Sequence, residues 1–497
     1  MKQKEPQAYR NWHYLLTALL TLGLLLAGTA VVLAATYSVS ATIETTNDDS
    51  GEQRRYDDPA IWIHPTDPSL SLVIAANKNM ALFTFNLDGT EQQDVDEPNG
   101  NDSYNNVDVR YRFPLNGTLV DIAVATQRNT NSLEIYKVDV ATRMLVDIGD
   151  KTINDALVDY EPYGIGLYHD PATNLFYAFV TDNGGDNDVH QYQLVANPND
   201  TIKLVWKRTF DNVNGLAEGV VADDINGFVY VAEEDDGIYK YDADPAAAIT
   251  RTTVALVGDN GIDDDIEGLT IYYAISDNCN GKTGYLIASS QGNATFHIFE
   301  REAGNAFVGD FSVVDHPTNG IDGLSGTDGI DVTNVALGPN FPNGFFAAHD
   351  DIDDTTEFEN IKMIDWQDIA TGISAVPAEQ LCVDISWHPR IVPPTISSSA
   401  VSVSNKMEFS WTDDNPTSCY AIYRSTNPYF TADGTTLYDD TLTAAIHAYE
   451  DPDANVIGST ANNYFYVVEA RNCDSSLPEV SATRVGEFDF SITPGSA

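Results

Sequence analysis

Positive charge is what this 497-residue chain has least of: 25 lysines and arginines stand against 75 aspartates and glutamates, a formal charge of −50. So acidic a surface repels nucleic acid and anionic membranes, which excludes a direct polyanion partner unless cations intervene. Divalent metal is therefore the first cofactor to consider. The acid excess is not that of a disordered tail, because 43% hydrophobic and 10% aromatic residues suffice for a core. Cysteine is scarce as well. The four present, Cys279, Cys382, Cys419 and Cys473, lack the Cys-x5-Arg spacing with which a cysteine phosphatase cradles phosphate. R-H-G-x-R-x-P, H-E-x-x-H and G-x-S-x-G are missing too, so histidine acid phosphatase, zinc-helix and nucleophile-elbow chemistry are not expected. The nine histidines are scattered, and His64, His169 and His316 sit beside Pro or Asp in turns, where a surface role is expected.

Long apolar runs are confined to the N-terminus. Lys2, Lys4 and Arg10 precede YLLTALLTLGLLLAGTAVVLAA, which ends in small residues near Ala34 and Ala35. Residues 1–35 thus read as an export signal or a retained anchor. The remainder is expected outside the cytoplasm, secreted or tethered by that segment, and as a monomer. Four cysteines in an oxidising compartment suggest two disulfides; of the three connectivities, the expected one joins Cys279 to Cys382 and Cys419 to Cys473.

What the chain has in abundance is turns. A pattern of an acid, a short strand, a turn rich in Asp, Asn, Gly or Pro, a second strand ending in small residues, and a third strand of the type I-Y-x-V recurs at about 50 to 60 residues. The acids are Asp58, Asp108, Glu161, Glu218, Glu267 and Asp328, and the six copies fill residues 55–370. No amphipathic helix interrupts them. Four-stranded units repeated six times predict an all-β fold, a six-bladed β-propeller over residues 36–390, in preference to a β-sandwich or β-helix.

If the blades are equivalent, the six acids ring one mouth of the central channel, and such a ring cannot stay ionised without cations. Hard oxygen ligands point to calcium, several ions of it. Lys78, Arg128, Asn183, Glu234, Gln291 and Asp350 end the second strands and would form a second ring at the same face. Metal on one side and Lys78 and Arg128 on the other suit an oxyanion held for phosphoryl transfer.

The motifs DDPAIW, NNVDVRY with FPLNG, EGVVADD with VYVAEED, DIEGLTIYYA, SSQGN and TDGIDV resemble those of the β-propeller phytases, calcium-dependent enzymes that remove phosphate from myo-inositol hexakisphosphate. The resemblance runs from Asp57 to Asp365. It implies phytate, or its calcium salt, as substrate, and hydrolysis by direct attack of calcium-activated water. Carried over residue by residue, Lys78, Arg128 and Tyr163 are similar to the groups that bind the reacting phosphate, and Glu218, Asp265, Glu267, Gln291 and Asp322 to the calcium ligands and water-orienting groups there. Asp328 is similar to an acid of the same cluster. Asp58, Asp350 and Asp353, with the carbonyls of Pro59 and Val107, resemble tighter calcium sites, and Glu234 an acid of a neighbouring site for a second phosphate. Three departures stand out: Asn79 and the loop DNGGDND replace lysines of that neighbouring site, and Gly326 replaces an acid.

Two other functions compete: a calcium-dependent phosphodiesterase or lactonase on the same scaffold, and a calcium-stabilised binding module without turnover. Retention of Lys78, Arg128, Glu218 and Glu267 together speaks against the latter, since a structural calcium site needs no adjacent cation. After the Pro-rich stretch WHPRIVPP, the runs KMEFSWTDD, CYAIYRST and NYFYVVEARN predict a small β-sandwich over residues 395–497, similar to a fibronectin type III domain, with Trp411 and Tyr466 in its core.

Overall fold

The computed structural model describes residues 36–46, 54–95, 103–151, 160–353 and 358–385, interrupted at 172, 186, 275–278, 280–282, 303 and 374–380, and then 395–397, 408–412, 418–426, 435–442, 448–452, 464–472 and 482–483. The expected export segment 1–35, the Pro-rich boundary at 387–394, and Cys473 with its expected bridge lie outside these residues. Among the described residues no helix is long and apolar enough to cross a membrane.

Six sheets follow one another in chain order. Blade one consists of Tyr56–Trp62, Leu72–Asn77, Leu82–Asn86 and Glu91–Val95, each antiparallel to the next. The first strands of the other blades are Tyr104–Leu115, Pro162–Asp170, Ala217–Asp223, Leu269–Tyr273 and Ile330–Thr333. Each first strand packs on the first strand of the following blade, and that of blade six packs on that of blade one. The ring therefore closes, with the first strands lining a central channel: a six-bladed propeller, as expected.

How it closes is not visible in the repeat. Blade six has only three strands of its own, and its outer strand is Ile43–Glu44, antiparallel to Asn360–Asp365. Tyr37–Val39 lies parallel to Phe307–Val313 as a fifth strand of blade five. The N-terminal segment thus ties the last two blades to the start of the chain.

The second strands explain the packing. Leu72–Asn77, Gly284–Ser290 and Phe345–Asp350 are buried at every residue, as strands covered on both faces must be. Their small residues, such as Ala75, Ala76 and Ala347, admit large neighbours, so one core cluster joins Phe83 and Phe85 of blade one to Ala123 of blade two and Phe345 of blade six. A short helix, Trp366–Ile373, follows blade six, and its Trp366 stacks on Tyr272 of blade five at 3.9 Å between centroids. Cys279 is bridged to Cys382, as expected.

The C-terminal strands form a three-stranded sheet, Thr395–Ser397, Glu408–Thr412 and Ala448–Glu450, and a four-stranded one, Leu437–Leu442, Ser418–Ser425, Phe465–Asn472 and Ala482–Thr483. Tyr449 of the first packs with Tyr420, Ile422, Tyr466 and Val468 of the second. Buried Tyr466 donates to Asp451 Oδ2 at 2.5 Å.

Candidate active site at the channel mouth

A β-bulge interrupts the first strand of blades one to four, after Tyr56, Tyr104, Pro162 and Ala217. A bulge re-aims the residues within it. The residues it places in register are Asp57, Asn105, Tyr163 and Glu218, and the same ladder position in blades five and six belongs to Glu267 and Asp328. This corrects the ring expected from the repeat: Asp58, Asp108 and Glu161 are not the equivalents of Glu218, Glu267 and Asp328. Asp58 lies one residue deeper in the bulge. Asp108 lies farther along its strand, paired with Arg110 at 2.9 Å, and Glu161 precedes its strand. The second ring shifts too, because His349 N bonds Gly329 O as Ser289 N bonds Gly268 O. That register makes Asp351, not Asp350, the equivalent in blade six of Gln291 in blade five.

The corrected ring holds two bonded groups, one about Lys78 and Gln291 and one about Asn105 and Arg128, which meet where Glu218 approaches Glu267. Lys78 Nζ lies 2.9 Å from Asp57 Oδ1 and 2.8 Å from Asp328 Oδ2. Gln291 donates through Nε2 to Asp328 and, at 3.1 Å, to Glu267 Oε2. Asn105 Nδ2 donates to Glu218 Oε1 at 2.8 Å, and Asn105 Oδ1 accepts from Arg128 Nη1 at 3.3 Å. Arg128 also pairs with Glu161 at 3.0 Å, and its guanidinium carbon lies 5.3 Å from the Tyr163 ring centre.

Glu218, Glu234 and Glu267 each offer a carboxylate oxygen within 4.8 Å of the other two. Glu234, expected to be a substrate-binding acid, thus stands among the carboxylates that could hold a metal ion. Burial, and after it Glu218 and Asp328, pushes the Glu267 carboxyl up to about 11; burial, Glu218 and Asp265 push Glu234 up to about 8. Burial raises Glu218 too. Glu218 Oε2 and Glu234 Oε1 are buried without a hydrogen-bond partner among the described residues. An all-oxygen donor set with orphaned oxygens and suppressed ionisation fits calcium, which would supply the missing charge.

Lys78 stays charged, because Asp57 and Asp328 more than offset its burial. Burial raises Asp57 well above the carboxylate range, whereas Asp328, despite burial, is held below it by His349, Asp57 and Lys78. Burial and Glu218 keep Tyr163 a neutral phenol. Asp265 is half-buried at the rim with φ 58°, and its carbonyl accepts from Gln291 N at 2.9 Å.

The remaining predicted residues fall into two groups. Asp58, Pro59 and Val107 line a cavity of about 90 Å³ inside the channel, where Val107 N donates to Asp58 Oδ2 at 3.0 Å and burial raises Asp58. Asp322 and Asp350 meet at Lys362, a fully buried lysine whose Nζ is 2.6 Å from Asp350 and 3.7 Å from Glu44 of the closing strand. Asp353 accepts from Asn360 at 3.1 Å beside them. A calcium ion in this group would compete with the Lys362 ammonium for the same oxygens.

Asp57, Asn105, His349 and Lys362 were missed from the sequence. The doubled DD and NN signalled the first two, since either member could face the channel. Nothing local marks Lys362, whose partners are 12 and 40 residues away.

A family model described as Phytase matches residues 13–392. The 3-phytase of Bacillus subtilis (strain 168) is 39% identical over 367 residues, 71% of this chain and 92% of the relative. Among solved structures, the β-propeller domain of Myceliophteria thermophila Cps50 (Swd1) is matched at 11% identity over 62% of this chain and 82% of that chain, with a TM-score of 0.34. The Dos1 propeller is matched at 10% over 62% and 68%, with a TM-score of 0.33. These two likenesses are too slight to add to the sheet order described above.

Proposed function

Because the chain belongs to the phytase family and is a phytase, we propose that it hydrolyses phytate in a calcium-dependent reaction at the ring of Asp57, Asn105, Tyr163, Glu218, Glu267 and Asp328. The observation that carries this reading is the triad Glu218, Glu234 and Glu267, oxygens within 4.8 Å of one another, where the group bonded to Lys78 meets the group bonded to Arg128. Glu218, Glu234 and Glu267 would hold calcium, with Asp265, Gln291 and Asp328 at its edge. When bound, calcium supplies charge neutralisation and a lowered pKa for water.

The chain's own groups do the rest. Lys78 and Arg128 offset charge on the phosphoryl oxygens, where fixed donors act without reorganisation. Tyr163, kept protonated, is a hydrogen-bond donor beside Glu218. Gln291 is fixed between Glu267 and Asp328, and so orients both. Water is the nucleophile, attacking phosphorus in line, and no phosphoenzyme forms. Asp58 with Pro59 and Val107, and Asp322 with Asp350 and Asp353, are proposed as structural calcium sites away from the reaction. The domains are proposed as a catalytic propeller of residues 36–390 and a fibronectin type III-like appendage of residues 395–497. The Cys279–Cys382 bridge supports an extracytoplasmic location for this monomer.

The test is phosphate release from myo-inositol hexakisphosphate by the full chain, with calcium and with a chelator, alongside Glu267→Gln. Release is expected only with calcium, and the variant should lose roughly 10²–10³-fold in kcat. Release that persists in the chelator would overturn the calcium reading. A folded, calcium-loaded protein that spares phytate but cleaves a diester or lactone would replace it with the second enzyme class.

A further inference from the structure

Lys78 faces a second cation across its own strand pair. Tyr56 is paired with Asn77, and beyond them Lys78 N donates to Arg55 O at 2.7 Å, so Arg55 and Lys78 are directly opposed at the channel mouth. Opposed residues project to the same face with Cβ atoms about 4.5–5.5 Å apart, and like charges so placed repel. Lys78 is 22% exposed and turned onto Asp57 and Asp328. Arg55 is 55% exposed, and its ion pair is a loose one, Nε to Glu359 Oε1 at 3.5 Å. Among the described residues its two terminal nitrogens have no hydrogen-bond partner, so a planar, two-pronged donor is left facing solvent beside the reacting-phosphate cation.

Resting on the phytase reading above, we propose that Arg55 is a specificity-determining residue whose guanidinium takes a second, non-reacting phosphate of the same substrate molecule. An anion there removes the Arg55–Lys78 repulsion and gains a bidentate, charge-assisted contact. Inositol phosphates with several phosphates would then be favoured over monophosphates, although Asn79 beside Lys78 carries no charge.

The experiment compares the full-length, calcium-loaded protein with Arg55→Ala, Arg55→Gln, Arg55→Lys and Glu359→Gln on inositol hexakisphosphate and inositol monophosphate. The expected result is a fall of about tenfold in the ratio of kcat/KM for the hexakisphosphate to that for the monophosphate in Arg55→Ala and Arg55→Gln, carried by KM. Arg55→Lys should recover part of it, and Glu359→Gln should not reproduce it. An unchanged ratio in Arg55→Ala and Arg55→Gln would overturn the proposal, as would the same loss in Glu359→Gln, which would make Arg55 half of a structural ion pair. If the unsubstituted protein releases nothing from phytate, the functional reading falls first and takes this inference with it.

Discussion

Glu234 and Glu267 set the direction in which pH must act. Both have an ordinary value of 4.5, which the unfolded chain keeps, yet in the folded protein without calcium Glu234 holds its proton to about 8 and Glu267 to about 11. Between those limits the folded state binds more protons than the unfolded one, so stability falls as pH rises through 8 and toward 11. Calcium needs the deprotonated forms, so its binding must release protons and tighten with pH. The expected outcome is a melting temperature that drops between about pH 6 and about pH 9 in chelator and drops less with calcium, the gap widening toward alkaline pH. Calorimetry in buffers of different ionisation enthalpy should show proton release on calcium binding. A gap that narrows as pH rises would contradict the proton-loaded triad.

At the scale of strands, the acid ring depends on glycine. The E-G and D-G dipeptides at Glu218, Glu267 and Asp328 place a residue without a side chain just after these three ring acids. A Cβ on Gly219 would lie 2.6 Å from Glu267 O, and one on Gly329 would lie 2.1 Å from Asp58 Oδ1. Gly329→Ala is therefore expected to push blades six and one apart, costing about 1–3 kcal/mol in urea unfolding and weakening calcium binding together with it. A variant as stable as the parent would mean that the strands can part without cost. These dipeptides also made the blades legible. Acid followed by glycine before a β-prone run shows where a first strand starts, and I-Y-x-V runs show the third strands. The bulges were not legible: one added residue moves blade one's ring member from Asp58 to Asp57 and swaps an expected acid for Asn105 or Tyr163. Nor was Ile43–Glu44 as the outer strand of blade six, because two residues carry no period and the pairing spans most of the propeller.

Taken as a whole, a ring of blades is weakest where its two ends meet, and here both ends are fastened over blades five and six. The N-terminal strands supply Tyr37–Val39 to blade five and Ile43–Glu44 to blade six. On the outgoing side, residues 381–385 are held by both blades. Cys382 N donates to Tyr285 Oη at 2.8 Å, Asp384 N to Tyr272 Oη at 3.0 Å, and Asn334 Nδ2 to Asp384 O at 3.0 Å. The Cys279–Cys382 bridge locks that strap and closes a loop of 103 residues. Loop entropy for a length of this order is worth about 4.7 kcal/mol, and the hydrogen bonds to the two tyrosines remain when the bridge is cut. Cys279 belongs to the turn after the first strand of blade five, whereas the ring acids stand at the start of their first strands or just before it, so the strap and the active site lie toward opposite ends of the channel. Cys279→Ser with Cys382→Ser is therefore expected to lower the melting temperature by several degrees, most in chelator, where no calcium helps hold the blades. Phosphate release with calcium at 25 °C should persist. Equal melting temperatures for the variant and the parent would show that the N-terminal strands alone secure the ring, while loss of activity at 25 °C would show that the strap reaches the mouth through blade five.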